Sequence, residues 1–487
     1  MSGTLKLPAR MLRDLEGYGP WMLRQAETVR TAWLQECHLP AQPKLASTPV
    51  TVGTDCSGCE APIFSLRAMG ISFRHCFACD NAPHAETFIR AVTKPEVFLS
   101  DMLARSLEDL PAPHIYVCGF PCKPYSSLHN DSKGFKEKAA KPFKAMLETA
   151  KKKRPCLAVF ENVLGLMKYM PKVRVDMQRE LHEYIVLLLQ VCPTEFGFPA
   201  RRPRFYFVAV RKDMCITQNP GQLADFARKL LESFRKPVPP HLADYLLPSN
   251  TQCVLEEVSG SKGPKPAQKN AAPAAASLPF NVAGLTAKQT EVLKQTWVEK
   301  VKKQGKGNKF VADVSQSLQR KTVALDGKTP CVTPGSKLFS GELNRLLCAE
   351  EKMLLSALPM HRISVPQQLT KMQLHSLAGN TMHCACVAGA LLCGMSLLRL
   401  GALKAAATNK PAKTGRGVWV DLTRAAKKAT RKKVTLKASK TPALKKVARN
   451  ERRGAQKQTA AQRGQKRGAA SYDTGSTTGK RMRSAYS

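Results

Sequence analysis

The sequence is organised around the stretch Pro113-His-Ile-Tyr-Val-Cys-Gly-Phe-Pro-Cys-Lys-Pro-Tyr-Ser-Ser127. Its apolar part, 115–118, is rich in β-formers and too short for a helix, so it predicts a buried strand. A Gly-Phe-Pro turn ends this strand and leads to Cys122, which is held between two prolines that stiffen the loop. A thiol at the carboxyl end of a parallel strand lies where open α/β sheets bind their ligands. The alternative is an inert, buried cysteine in a proline turn.

Two later stretches add polar groups at predicted strand ends. A second apolar run ends in Glu161 and Asn162, and a third begins with Arg202 and Arg204. Side chains two positions apart share a face in extended backbone, so both arginines can point into one site. A thiol, a carboxylate and two guanidinium groups suit nucleophilic attack on an electron-poor ring. The thiolate adds, the acid protonates the ring, and the arginines hold a carbonyl oxygen or a phosphate.

In order and spacing, Gly-Phe-Pro-Cys-Lys-Pro-Tyr-Ser, Glu-Asn-Val and Arg-x-Arg resemble the catalytic motifs of the cytosine-C5 methyltransferase family. The resemblance extends in pieces from about Thr51 to about Leu397. Members of that family use S-adenosylmethionine to methylate cytosine in DNA or, in one branch, in tRNA. The DNA substrate is the one we expect here, and RNA remains the alternative.

The resemblance assigns a role to each of these side chains. It implies that Cys122 attacks C6 of a cytosine extruded from the helix, and that Glu161 protonates or hydrogen-bonds N3. Asn162 would orient the loop, and Arg202 and Arg204 would hold the base carbonyl and a neighbouring phosphate. The chemistry requires no metal.

The segment before this loop predicts a cofactor site. A strand over 49–53, a loop of small residues and a helix to about Met69 form the arrangement that cradles adenosyl cofactors. The next strand ends at an aspartate suited to ribose hydroxyls, and the third ends at an Asp-Met pair that resembles the family's adenine contact. Solvated or helix-capping aspartates are the alternative. This segment predicts Asp55, Cys56, Ser57, Gly58, Asp80, Asp101 and Met102 as cofactor-binding residues. The family resemblance adds Gly119 and Pro121 of the thiol loop and Asn380, which lies in Leu377-Ala-Gly-Asn-Thr-Met382, a stretch similar to the family's last motif.

Some positions depart from the family pattern. Cys56 stands at the usual phenylalanine, and Gly58 is the one glycine of the loop that is kept. Lys123 and Ala200 each replace a common glutamine. A catalytically weak or inactive relative that binds nucleic acid as a chromatin protein is therefore the second hypothesis.

The cysteine spacing allows a different interpretation of the first loop. Cys56-x-x-Cys59 and Cys76-x-x-Cys79 match the spacing of a four-cysteine zinc site. However, Cys76 and Cys79 fall within a predicted strand, where an odd separation directs side chains to opposite faces. We therefore expect no metal at these four positions.

Composition indicates an intracellular protein that binds a polyanion. The chain has 487 residues, 43% of them hydrophobic, and a formal net charge of +41, which points to nucleic acid. Sixteen scattered cysteines suggest a reducing compartment. The first residues lack the apolar core of a signal peptide, and the apolar stretch 387–398 is too short to span a bilayer. No membrane contact is expected.

Alternating strands and helices predict a doubly wound α/β sheet, mostly parallel, of the Rossmann-like class I methyltransferase type. The expected organisation is a helical extension over 1–48, a catalytic core over 49–212, a basic recognition region over 213–335 with a flexible linker at about 259–278, the rest of the core over 336–402, and a disordered basic tail over 403–487. The tail has 24 Lys and Arg against 3 Asp and Glu, 24 − 3 = +21. Lys466-Arg467 and Lys480-Arg-Met-Arg483 resemble a two-part import signal, which predicts a nuclear location and contact with the import machinery.

Overall fold

An α/β sheet carries the candidate site residues in the computed structural model of the protein. The structure describes residues 5–125, 140–236, 241–259, 279–282, 285–305, 309–320, 322–405 and 417–423. These residues belong to one unit, Met1–Thr423, and the second unit, Arg424–Ser487, lies outside the described residues.

The described strands and helices follow one another in α/β alternation over the first half of the chain. The strands are β1 (Val50–Asp55), β2 (Phe73–Cys79), β3 (Val97–Leu99), β4 (Ile115–Cys118), β5 (Leu157–Val163), β6 (Tyr184–Val191), β7 (Arg204–Arg211), β8 (Val311–Asp313), β9 (Val323–Ala324), β10 (Leu338–Ser340), β11 (Arg345–Leu346) and β12 (Val418–Asp421). The helices are α1 (Ala9–Glu36), α2 (Ala61–Met69), α3 (Pro83–Val92), α4 (Lys141–Lys153), α5 (Met170–Glu180), α6 (Pro220–Ser233), α7 (Gln252–Ser259), α8 (Ala287–Thr296), α9 (Ala349–Leu354), α10 (Lys371–Asn380) and α11 (Cys384–Ser396).

Within the described residues the larger sheet has eight strands in the order β12-β6-β7-β5-β4-β1-β2-β3. Neighbouring strands are parallel, except that β7 runs antiparallel to both β5 and β6. Strands buried on both faces are nearly continuous apolar runs, as the sequences of β4 and β6 show. The predicted mostly parallel, doubly wound sheet is confirmed.

Helices cover both faces of this sheet. One apolar core lies between the sheet and α1, α2, α6 and α11, and the other lies under α4 and α5. Every residue of α11 is buried. Arg30 of α1 donates hydrogen bonds to the carbonyl oxygens of Ser396, the last residue of α11, and of Leu398, two residues later. The N-terminal helix is therefore tied directly to the core.

A second, antiparallel sheet has the order β11-β10-β8-β9 within the described residues. Its own apolar cluster centres on Phe280, Phe310 and Phe339, whose ring centroids lie 5.4 to 6.4 Å apart. This sheet lies in the chain between β7 and α9. Two of its strands precede and two follow position 335, the expected end of the recognition region. The linker predicted over 259–278 lies outside the described residues except for Ser259, the last residue of α7.

The structure corrects the predicted disordered tail at its start, where buried Leu403 lies in the helical turn Leu400–Ala405, and at a strand farther on. Val418–Asp421, inside the segment expected to be disordered, forms β12 and pairs in parallel with β6. The ring of Trp419 lies 6.0 Å from that of Phe207, and its contact with the sheet explains why an otherwise basic segment is ordered here. The two-part import signal lies outside the described residues.

One helical stretch among the described residues, Lys371–Ser396, is long and apolar enough by length and composition to cross a membrane. It contains α10 and α11, and 94% of its most apolar window is buried inside the protein. Buried core helices commonly meet this criterion.

A close helix contact gives a test of the fold. A Cβ built on Gly19 of α1 would lie 2.2 Å from the carbonyl oxygen of Ala68, whereas one on exposed Gly17 meets nothing within 4 Å. We expect Gly19→Ala to lower the free energy of unfolding by about 1–3 kcal/mol through overpacking. The matched control Gly17→Ala should raise it by about 0.5–1 kcal/mol through helix propensity. Urea denaturation measures both, and equal effects would contradict this packing of α1.

Candidate active site

The candidate catalytic residues meet at one edge of the larger sheet. Parallel strands β4 and β5 end there with the Cys122 loop and with Glu161 and Asn162. Because β7 is antiparallel, its first residue lies at the same edge, and Arg204 pairs with Val163 of β5. The sequence correctly placed these groups at strand ends, but it did not reveal that one strand is reversed.

Asn162 fixes the loop that carries the thiol. Its side chain is fully buried, and Nδ2 donates a hydrogen bond to the carbonyl oxygen of Phe120 at 2.9 Å. The ring of Phe120 packs against Phe143 and Tyr125, and the amide of Tyr125 donates to the carbonyl oxygen of Cys122 at 2.9 Å. The turn around Cys122 is therefore held by a buried amide and an aromatic cluster.

Three charged groups set the electrostatics around the half-buried Cys122 thiol. Burial and the nearby Glu161 carboxylate raise the pKa of Cys122 above its usual range, while Arg204 and Arg202 oppose that rise. Arg204 Nε lies 2.9 Å from Glu161 Oε1, and both side chains are about nine-tenths buried. The thiol, the carboxylate and this guanidinium therefore act on one another in a poorly solvated site.

Arg202 connects three distant segments. It is 7% exposed, and NH1 donates to the carbonyl oxygen of Val332 at 2.7 Å, while NH2 donates to that of Gly379 at 3.1 Å. These carbonyls lie 130 and 177 residues farther along the chain than Arg202. Arg202 therefore links its own segment to two other backbone segments, whereas Arg204 is the arginine that contacts Glu161.

The structure adds one group that sequence reasoning missed. The Cys331 sulfur lies 3.6 Å from Arg204 NH2 and 3.8 Å from Arg202 NH1. Burial raises the pKa of Cys331, but the two guanidinium groups outweigh it and leave that pKa lowered overall. Nothing local in the sequence signals this contact, because the partners are more than 120 residues apart in the chain.

The side chain of Asp55, the last residue of β1, points into the protein and away from solvent. Its carboxylate is fully buried, forms a bidentate ion pair with Arg105 and accepts a hydrogen bond from Tyr116. Ser57 also turns inward, and its hydroxyl donates to the carbonyl oxygen of Cys79 at 3.2 Å. These two predicted cofactor residues anchor the loop to the sheet.

The outer side of the loop after β1, around Cys56 and Gly58, is open. Gly58, with φ +54°, has nothing within 4 Å of a built Cβ, and its amide donates to Asp80 Oδ2 at 2.9 Å. Cys56 is also left-handed, with φ +49°, an uncommon conformation for a residue with a side chain. The Cys56 sulfur lies 3.8 Å from that of Met102, and the backbone of Gly119 lies beside Cys56.

These residues fit an adenosyl cofactor. The half-buried Asp80 carboxylate at the end of β2 is placed for hydroxyl donors, and Cys56 and Met102 offer an apolar wall beside Gly119. Pro121 is half-buried in the same turn, whereas Asp101 and Asn380 are exposed. Asp101 Oδ1 accepts the Leu103 amide at 2.8 Å, a local cap that leaves its second oxygen at the surface.

The four-cysteine alternative is not assembled. Cys76 lies in β2 and its thiol donates to the carbonyl oxygen of Val52 at 3.0 Å, while Cys56 contacts Met102. Cys59 is buried against other neighbours. In the part of the chain that the structure describes, these thiols do not form a group with ligand atoms within 4.8 Å of one another. The lysine-rich segment after the thiol loop, 131–144, lies outside the described residues except for 140–144.

Sheet order and the edge site define a class I methyltransferase. The sequence profile described as C-5 cytosine-specific DNA methylase matches residues 56–385, so the chain belongs to that family.

Relatives of known name agree with this assignment. The DNA (cytosine-5-)-methyltransferase DMT5 of Verticillium dahliae is 24% identical over 458 residues, covering 70% of this chain and 19% of the relative. Its namesake in Cryptococcus neoformans is 23% identical over 225 residues, covering 40% and 9%. The chain thus spans a fifth or less of these two relatives. Orphan methyltransferase M.SPRI of Bacillus phage SPR is 31% identical over 123 residues, covering 25% of this chain and 27% of that protein.

Solved structures with a similar fold include two methyltransferases. The S. pombe Dnmt2 methyltransferase matches with a TM-score of 0.43 at 14% identity, and the match covers 71% of this chain and 97% of the Dnmt2 chain. The Entamoeba histolytica methyltransferase EhMeth has a TM-score of 0.45 at 15% identity and covers 70% and 97%.

The charges around the two site thiols predict different pH profiles. Cys122, with a raised pKa, should stay protonated at pH 7, and its alkylation by iodoacetamide should rise with pH beyond about 8.5, the usual thiol value. Cys331, with a lowered pKa, should reach full reactivity at lower pH. Glu161→Gln removes a negative charge beside Cys122 and should shift its profile to lower pH. Mass spectrometry of the alkylated peptides measures each cysteine, and a Cys122 profile that lies below that of Cys331 would contradict this electrostatic picture.

Proposed function

We propose that the chain transfers a methyl group to C5 of cytosine in DNA through a covalent bond between Cys122 and C6 of the base. The observation that carries the proposal is the meeting of Cys122, Glu161 and Arg204 at one sheet edge, with Arg204 Nε 2.9 Å from the Glu161 carboxylate. Family membership supports the reaction class. The two fungal relatives are named DNA (cytosine-5-)-methyltransferases, which supports DNA as the substrate.

The proton balance follows from the charges in the site. The Cys122 thiol is protonated at rest, because burial and Glu161 raise its pKa. As sulfur bonds to C6, the S–H bond breaks and its proton is passed through Glu161 to N3 of the cytosine, which makes C5 nucleophilic. After C5 is methylated, water or another base takes the C5 proton, and the C6–S bond breaks to restore the aromatic ring. The N3 proton returns through Glu161 to the leaving sulfur, which regenerates the thiol.

Arg204 has two tasks in this scheme. Its ion pair holds the Glu161 carboxylate in one orientation, and its positive charge stabilises the thiolate as it forms. The base carbonyl or a phosphate would bind the same guanidinium group. Arg202, which donates to the carbonyl oxygens of Val332 and Gly379, serves as a positioning residue. Asn162 positions the thiol through Phe120.

S-adenosylmethionine, when bound, supplies the methyl group. We propose that Asp80 holds the ribose hydroxyls and that Cys56, Met102 and Gly119 line the adenine side. Asp101 and Asn380 lie exposed at the same edge and can complete the contacts. Asp55 supports the loop through Arg105, and its contribution to cofactor affinity is indirect.

The substrate polymer and cellular location extend the proposal. A net charge of +41 supports binding to a nucleic acid backbone, with affinity that falls as salt rises. DNA as substrate and the basic clusters at 466–467 and 480–483 together favour a nuclear location. Methylation of tRNA uses the same side chains and is the second substrate to test.

Adduct trapping tests the catalytic proposal. The protein is incubated with S-adenosylmethionine and with DNA or tRNA-like oligonucleotides that carry 5-fluorocytosine, whose C5 fluorine cannot be removed as a proton. We expect a denaturation-resistant adduct with DNA that disappears in Cys122→Ser. Cys37→Ser, a half-buried thiol directly after α1, is the control.

The neighbouring thiol makes the trapping test sharper. Because Cys331 is the more acidic of the two, an adduct that persists in Cys122→Ser and disappears in Cys331→Ser would overturn the assignment. An adduct on the tRNA-like strand alone would transfer the proposal to RNA. Retained binding with no adduct on either polymer would favour a nucleic-acid-binding protein without this activity.

Cofactor binding gives a separate prediction. Asp80→Asn keeps the shape of the side chain but removes its charge, so hydrogen bonds from ribose hydroxyls should weaken. Hydrogen bonds to charged groups are worth about 1.5–3 kcal/mol, so affinity for S-adenosylmethionine should fall roughly 10- to 100-fold in calorimetry. The control is Glu96→Gln, which removes a surface carboxylate paired with Arg74. An unchanged affinity in Asp80→Asn would place the ribose elsewhere.

A further inference from the structure

A second cluster of metal-ligating side chains lies outside the catalytic edge. Within the described residues, one group of three His, Cys, Asp or Glu side chains has ligand atoms all within 4.8 Å of one another: Cys253, Cys348 and Glu350. Cys253 is in α7, Cys348 directly precedes α9, and Glu350 is in the first turn of α9. The proposed methyl transfer uses none of them.

The geometry points to a zinc site formed by these three side chains, and we propose that this chain binds one Zn²⁺ there. The Cys253 and Cys348 sulfurs are 3.7 Å apart. Two sulfurs bonded at about 2.3 Å to one tetrahedral zinc ion lie about 3.8 Å apart, so little rearrangement is needed. The separation is far longer than the roughly 2.05 Å of a disulfide bond.

The chemistry of the donors favours zinc over harder cations. Thiolates select soft or borderline metals, whereas Ca²⁺ and Mg²⁺ prefer oxygen ligands. Binding releases the two thiol protons, and two thiolates with one carboxylate then give a zinc centre with a net charge of −1. The guanidinium group of Arg345 is buried near the two sulfurs but forms an ion pair with Glu351, so it offsets that charge only in part.

The fourth position is assigned to water. Glu257 follows Cys253 by one helical turn, but its carboxylate is engaged by Lys337 Nζ and by His375 Nε2, each at 3.2 Å. Three protein ligands and a water complete tetrahedral coordination. Cys253 and Glu350 are both half-buried, which gives an ion and a water access from solvent.

The position in the chain gives the site a structural role. Cys253 and Cys348 are 95 residues apart in the chain. All four strands of the antiparallel sheet, β8–β11, lie in the segment between them. A zinc ion that joins them closes this long loop and fastens α7 to α9. Closing a long loop removes much conformational freedom from the unfolded chain, so the metal should stabilise the inserted sheet.

Metal analysis tests this site independently of methyl transfer. The full chain is expressed in zinc-supplemented medium, purified under reducing conditions and analysed by inductively coupled plasma mass spectrometry. We expect about one zinc per chain in the wild type and loss of that zinc in Cys253→Ser/Cys348→Ser. The matched control Cys37→Ser/Cys192→Ser removes two half-buried thiols elsewhere and should keep the metal. Cobalt substitution should give thiolate-to-metal charge-transfer absorption in the wild type and in this control.

A third variant guards against a misfolded double mutant. Glu350→Gln keeps both thiols and the side-chain size. Because loss of an outer-shell partner alone typically costs about 10- to 100-fold in metal affinity, loss of this direct ligand should weaken zinc binding by at least that much in competition with a chromogenic chelator. Wild-type protein that lacks zinc and does not bind added zinc would overturn the proposal. So would zinc retained in the Cys253→Ser/Cys348→Ser variant, or a Cys253–Cys348 disulfide in the reduced preparation.

Discussion

The shared carboxyl edge of the larger sheet is the constraint on which the rest of the structure depends. Parallel strands end at the same side, so β1, β2, β4 and β5 bring a cofactor loop, a thiol loop and a carboxylate together from distant parts of the chain. The reversed strand β7 adds its first residue, Arg204, to this edge. A parallel β7 would begin at the opposite edge, away from Glu161.

At that edge, opposing charges keep a reactive group in a neutral resting state. Burial and Glu161 disfavour the Cys122 thiolate, and Arg204 and Arg202 favour it. A poorly solvated site strengthens both effects, so a small change in the position of Glu161 or Arg204 changes the acidity of the thiol. The buried Arg202 and Asn162 have hydrogen bonds to backbone carbonyls, which hold the surrounding segments in place.

Local sequence patterns predicted the elements well but not the contacts between them. Apolar runs of strand length located β1, β2, β4, β5 and β7, because buried strands leave a continuous signal. The orientation of Asp55 toward Arg105, the approach of Cys331 to two arginines, and the pairing of Cys253 with Cys348 join residues 50 to about 130 positions apart. Such contacts depend on tertiary packing and have no periodicity. The strand at 418–421 was missed because the surrounding basic composition outweighed one short apolar run.

We propose that this edge transfers a methyl group to C5 of cytosine in DNA. The most direct measurement is mass spectrometry of nucleosides from DNA and tRNA after incubation with the protein and S-adenosylmethionine that carries a deuterated methyl group. We expect deuterated 5-methylcytosine in the DNA digest, and none when Cys122 is replaced by serine. Protein that binds both cofactor and DNA but leaves no label on cytosine would contradict it.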